Sequence, residues 1–277
     1  MNRSTRNLYI GIVLVGLNAF VALLTFFWLP YDPTAMAGGR LSPPSWAHPA
    51  GTDRLGRDYL TQVMIGARIA MTVGIGAALL GGIIGTTIGV LSAFARRGLD
   101  DALAATLDIL IAFPTLLLAM LVVAASEGAS LWTAILAIGL AMSAIIARLV
   151  RILTKRVLAQ DFITAARCSG LGWVRITINH ILPNIFPTIL VIVALQFGLA
   201  VIAEASLSYL GLGTPPPNAS WGQLLQQAQS TVFRAPMGVI APGLALMSLV
   251  LGINFLADGL RDLIDADPVG TPEEVEA

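Results

Sequence analysis

Few side chains in this 277-residue sequence are equipped for chemistry, and their spacing excludes the commoner kinds. His48, Asp53 and Asp58 fall in one Gly- and Pro-rich stretch and raise the question of a metal site. One imidazole with two carboxylates is a poor set for a transition metal, which takes more imidazole or thiolate. The expected reading is therefore a structural loop held by Asp–Arg pairs, with no metal. Lys155 is the only lysine and follows Thr154, so no G-x-x-x-x-G-K-[ST] phosphate loop exists. H-E-x-x-H and G-x-S-x-G are absent as well. No residue is assigned a catalytic role, and the chain is expected not to be an enzyme. Two carboxylates, Asp108 and Glu204, lie within apolar runs, and Asp258 lies near the end of the last one. A carboxylate in a bilayer is costly, so it faces a protein interior or a water-filled path. Asp108 and Glu204 are thus expected either on a translocation route or in pairs with a neighbouring helix.

The elements that position these groups are membrane spans. Apolar residues make up 56% of the chain and charged residues only 12%, against roughly 25% charged in average soluble proteins. Net charge is zero, which argues against nucleic acid as a partner. Cys168 is the single cysteine, so no intrachain disulfide forms. Runs of about 20 apolar residues suffice to cross ~30 Å of hydrocarbon. They predict spans over residues 8–29, 69–94, 103–125, 131–150, 185–205 and 237–257, the third kinked at Pro114. Ala77, Gly81, Gly85 and Gly89 recur every fourth residue, a stripe that lets another helix approach closely in lipid. A very short loop at Glu127, an extended turn over Pro215–Pro217 and a disordered acidic tail complete the reading. With the amino terminus inside, eleven Lys and Arg residues fall in the cytoplasm and five outside (Arg40, Arg54, Arg57, Arg68 and Arg234), as the positive-inside rule expects.

Between the fourth and fifth apolar runs lies a polar island, residues 161–184. It predicts a helix, a break at Gly170 and Gly172, and a second short helix stopped by Pro183. Phe162, Ala165 and Ala166, then Val174, Ile178 and Ile181, are expected to form its apolar faces. Thr164-Ala165-Ala166, then Gly170, then Leu182-Pro183 resembles the "EAA" cytoplasmic loop by which permeases of ABC importers dock on their ATPases, with Thr164 where Glu is usual. His48-Pro-Ala-Gly51-Thr52-Asp53-Arg-Leu-Gly56-Arg57-Asp58 resembles the signature after the first helix in the dipeptide, oligopeptide and nickel permeases. The runs from Glu204 to Gly222 and from Asn254 to Asp265 are similar to two further motifs of that subfamily, with Ala257 in place of a usual Gly.

The resemblance covers nearly the whole chain. It implies an all-α polytopic protein with six transmembrane helices and the type I ABC importer (MetI-like) permease fold. It implies segments 1–66 (first helix and extracytoplasmic stretch), 67–265 (permease core with coupling loop 158–183) and 266–277 (acidic tail). The function implied is half of a translocation pathway for short peptides, in the plasma (inner) membrane of a prokaryote with both termini cytoplasmic. Implied partners are a homologous second permease, one or two ATPases that bind ATP and Mg, and an extracytoplasmic solute-binding protein. No cofactor is expected in this chain. Nickel or another small solute on the same machinery is the alternative cargo. A stand-alone secondary transporter is the rival from another class, and would show internal repeats with broken helices at midplane.

Overall fold

The computed structural model describes residues 3–126, 128–215 and 218–266, without the side chains of residues 3, 4, 265 and 266. The expectations at Glu127, Pro216 and Pro217, and for the acidic tail beyond Ala266, lie outside the described residues. Among the described residues ten α-helices follow in chain order: α1 Arg3–Leu24, α2 Tyr59–Ala93, α3 Arg97–Ala112, α4 Thr115–Ala125, α5 Leu131–Leu158, α6 Asp161–Cys168, α7 Trp173–Ile176, α8 Leu182–Tyr209, α9 Trp221–Ala228 and α10 Met237–Ala266. Among the described residues, five helical stretches are long and apolar enough to cross a membrane; α3 and α4, bent by 91° at their junction, count as a sixth when taken together as one span. The fold is all-α and polytopic, as the hydropathy predicts.

Several boundaries differ from the expectation. The third span is not one kinked helix: Phe113 and Pro114 are extended, because Pro114 disfavours helical geometry at the residue before it. α1 ends at Leu24, five residues early, in a turn whose Trp28 N–H returns to the Leu24 carbonyl ahead of Pro30. α2 begins ten residues before the expected start, so the boundary at residue 66 falls inside a helix. Asp58 explains this, since its carboxylate caps the first turn by accepting from the Thr61 N–H at 2.8 Å. α5 carries on to Leu158 and α10 to Ala266, beyond the apolar runs. Helix geometry is sustained there by packing and charge pairing rather than by hydropathy.

The core forms where α2 lies against α5 and α8. A Cβ added to Gly81 would lie 2.9 Å from the Gly139 carbonyl; on Gly85 it would lie 2.7 Å from the Ser143 carbonyl, and on Gly89 2.6 Å from the Ala147 carbonyl. The expected stripe on α2 therefore meets a second small-residue stripe on α5, Gly139, Ser143 and Ala147, which the sequence reading did not single out. In lipid, van der Waals contact is the main gain from association, so this intimacy is what holds the pair. On the far side of α2, Gly74 faces Phe197 and Val201 of α8.

α1 is not a detached anchor. It packs antiparallel on α10, with Gly11 against the Leu256 backbone, Gly252 against Leu14 and Val15, and Gly259 against Leu8. Asn18 Nδ2 donates to Ser248 Oγ at 3.1 Å across the pair. The N-terminal end of α10 sits beside Tyr59 and Ala228, so the start of α1 and the end of α10 lie together at the opposite end of the bundle.

The stripe makes a direct prediction. Gly85→Leu should destabilise the fold by about 1–3 kcal/mol through overpacking, read as a lower unfolding temperature of the detergent-solubilised protein. Gly16→Leu, where an added Cβ meets nothing within 4 Å, should leave that temperature unchanged.

Candidate functional site

At one end of the bundle, α5 runs past its apolar stretch to Leu158 and turns into α6. The residues facing the bundle are Ile163 and Ala166, 2% and 9% exposed, which join Val90 of α2, Ile146 and Val150 of α5, and Ile181 and Ile185 in one apolar cluster. The expected apolar face is thus rotated. Phe162, Ala165, Val174 and Ile178 are exposed, and Ile163 and Ile176 take the buried places. Helical spacing alone does not say which of two adjacent stripes meets the core, since 100° per residue leaves both compatible with the pattern. Thr164, Ala165 and Gly170 face outward, Ala166 is buried, Leu182 is half-buried and Pro183 is exposed.

Two local devices hold this end rigid. Gly170 has φ +85, its N–H donates to the Arg167 carbonyl and the Leu171 N–H to the Ala166 carbonyl, which closes α6 in a left-handed cap. Arg167 then lies over the Trp173 ring, 4.1 Å from its centroid, and Trp173 meets Phe94 at the end of α2 edge-on at 5.3 Å. Pro183 does not stop the second helix as expected. Residues Thr177–Ile181 form a π-turn in which the Leu182 N–H reaches back five residues to the Thr177 carbonyl. That widened turn accommodates a ring with no N–H to give, and α7 passes into α8 without a break.

Charges stitch α3 to α5. Asp100, in the first turn of α3, accepts from Arg151 Nε and Arg151 Nη2, both at 2.7 Å, and from Lys155 Nζ. Two helical turns along, Asp108 pairs with Arg148 at 3.1 Å, with both side chains about half exposed. Of the two expected roles for Asp108, the geometry shows inter-helix pairing. The Asp100 clasp was missed, although a signal existed: acids eight apart on α3 match cations seven apart on α5, each roughly two turns.

At the other end the signature loop folds as a compact wheel. Asp53 accepts from the Leu55 and Arg57 N–H groups, each at 2.8 Å, and from Arg57 Nε at 2.7 Å. Asp58 pairs instead with His48 Nδ1 at 3.0 Å, in addition to capping α2. Both side chains are therefore spent on structure, one by an Asp–Arg pair as expected and one by histidine. Gly51 and Gly56 take positive φ, and a Cβ on either would strike a backbone carbonyl. The Thr52 hydroxyl joins the loop's two strands by donating to the Gly39 carbonyl.

Glu204 lies 2% exposed inside α8, accepts from Ser208 Oγ at 2.7 Å and is also reached by Ser220. Through Ser220 it ties the start of α9 to α8. Trp221 anchors the same start of α9, its Nε1–H donating to the Val63 carbonyl at 2.9 Å while its ring fills the space left by Gly66.

Comparison with known proteins places these features in context. Residues 85–268 match the family model described as binding-protein-dependent transport system inner membrane component. A putative peptide transport system permease protein of Brucella suis is 38% identical over 261 residues, covering 94% of this chain and 88% of that protein. The dipeptide transport system permease protein DppC of Alkalihalophilus pseudofirmus is 40% identical over 226 residues, covering 82% of this chain and 74% of that one. A chain from a structure of the MetNI methionine ABC transporter in inward-facing conformations superposes with a TM-score of 0.62, covering 74% of this chain and 97% of that chain. At 20% identity this last likeness is one of fold.

Two substitutions test the assignments made here. Asp100→Asn should cost about 1–3 kcal/mol by leaving Arg151 and Lys155 without their carboxylate, read as a lower unfolding temperature that Asp100→Glu partly restores. Glu204→Gln keeps an acceptor for Ser208 and should assemble normally, whereas Glu204→Leu should loosen the start of α9 at Ser220 and expose it to protease.

Proposed function

This chain belongs to the binding-protein-dependent transport system inner membrane components, as a permease subunit of an ABC importer, and on that premise we propose that its cargo is short peptides. Relatives named for peptide and dipeptide transport, aligned over most of this chain, support that cargo over nickel. A second, homologous permease would complete the pathway, separate ATPases would bind ATP and Mg, and an extracytoplasmic binding protein would deliver the peptide.

The observation that carries the mechanism is the way α6 is held. Its inner face is locked by Ile163 and Ala166 into the cluster shared with α2, α5 and α8, while Thr164, Ala165 and Arg167 stand exposed. A push on the exposed face therefore moves three spans together. The Gly170 cap and the Arg167–Trp173 stack keep the segment from yielding, so displacement passes to the helices and is not absorbed in a loop. Closure of an ATPase dimer beneath it would rock the bundle from inward- to outward-open. Thr164 gives the partner a hydroxyl and a methyl where the family pattern has a carboxylate, so the contact here is less charged.

The orientation that suits this role puts the α6 end, and with it both termini, in the cytoplasm. Arg96, Arg97, Arg151, Lys155 and Arg156 gather at that end, which supports the placement. Trp28 and Trp132, both well exposed, mark the opposite interface, where amphipathic rings prefer to sit.

Affinity purification of the chain from its native membrane should bring down a second permease and a P-loop ATPase, with ATPase activity stimulated by the binding protein. A homo-oligomer without ATPase would overturn the reading. Gly170→Glu should uncouple hydrolysis from peptide uptake while the protein stays in the membrane. A Cβ added there would meet nothing within 4 Å beyond its chain neighbours, so the effect comes from the left-handed backbone, which a side chain strains by about 1–2 kcal/mol. Substrate-stimulated ATPase and uptake at wild-type levels would refute the coupling role.

A further inference from the structure

A polar cleft of about 640 Å³ opens between the signature loop and α9, at the end of the bundle opposite α6. One wall carries Arg54 and Leu55; the other carries Gln226, Gln227, Gln229 and Ser230. Neither wall is soft. The loop side is the Asp53 wheel, and the α9 side is pinned to α2 by the buried Trp221 and its bond to the Val63 carbonyl.

The charges around the cleft are unevenly spent. Arg57, which also lines it, is committed to Asp53 at 2.7 Å, and Arg68 lies over the Phe26 ring, 5.2 Å from its centroid. Arg54 is exposed and, among the described residues, makes no ion pair. Arg40 and Arg234 are exposed at the same end. Of the described carboxylates there, Asp53 and Asp58 are buried in bonds and only Asp32 is exposed, where it accepts from the Thr34 N–H and hydroxyl. The outer face thus presents an excess of free guanidinium over free carboxylate, with amide donors lining a preformed recess.

We propose that this cleft docks an acidic segment of the solute-binding protein, with Arg54 as its charged contact and the α9 glutamines as neutral donors. The proposal rests on the importer reading and on its orientation of the bundle. A guanidinium fork matches a carboxylate in two parallel bonds, which fixes orientation as well as attraction. Free rim charges speed encounter and fade with salt, which suits a delivery protein that must arrive and leave once per cycle.

The test uses the complete transporter, purified with its second permease and ATPases in nanodiscs of zwitterionic lipid, and the solute-binding protein that stimulates its ATPase. Arg54→Glu should weaken binding about tenfold at low salt, mainly through a slower association rate. The difference should shrink several-fold at about 0.5 M salt. Gln226→Glu should act in the same direction, and Arg54→Gln serves if charge reversal prevents assembly. Wild-type affinity in these variants would overturn the docking site while leaving the importer reading intact. A wild-type complex with no binding-protein stimulation would instead overturn the importer reading, and the docking site with it. A loss that appears only with anionic lipid would assign the cleft to lipid headgroups and also overturn the proposal.

Discussion

The closeness of α2 to α5 is the constraint from which the rest of this structure follows. Backbone carbonyls of Gly139, Ser143 and Ala147 occupy the space where side chains at Gly81, Gly85 and Gly89 would project. Lipid offers no hydrophobic gain from bringing two apolar helices together, so only dispersion over a wide, close surface can hold them. With that pair in place, α8 finds its groove at Gly74, and the cluster around Ile163 at the α6 end acquires walls to pack against.

The two ends of the bundle use different physics. At the α6 end, charges join α3 to α5 through Asp100, while apolar residues fasten α6 to the spans. A charge clasp can shift geometry with little change in buried area, whereas the cluster moves as a block because packed interiors are not continuously deformable. At the other end, hydrogen bonds accepted by Asp53, Asp58 and Glu204 and donated by Trp221 form a cap of short-range constraints. A stiff cap and a stiff lever, joined by close-packed helices, suit a subunit that must pass motion across a membrane.

Much of this was legible beforehand. The apolar runs gave the five long spans, with the third run divided between α3 and α4, and the stripe from Ala77 to Gly89 named the packing face of α2. The polar island gave α6 and its glycine cap. Pro183 was misread because proline usually ends a helix; here a π-turn over Thr177–Ile181 makes room for it. The buried face of α6 was misread by about one residue, and Phe162 is exposed where Ile163 is buried.

Composition, breaker residues and periodicity are local, so the residues alone determined the membrane class, the long apolar spans and the place of the polar α6 segment. Partner identity is not local. Asp100 could have paired with any of several nearby arginines; the rotation of α3 about its axis and the continuation of α5 to Leu158 select Arg151 and Lys155. The same holds for α1, whose apolar surface is consistent with an independent anchor. Only the fit of Gly11 to Leu256 and of Gly259 to Leu8 makes it part of the bundle, because shape complementarity depends on two surfaces that are more than 200 residues apart in the chain.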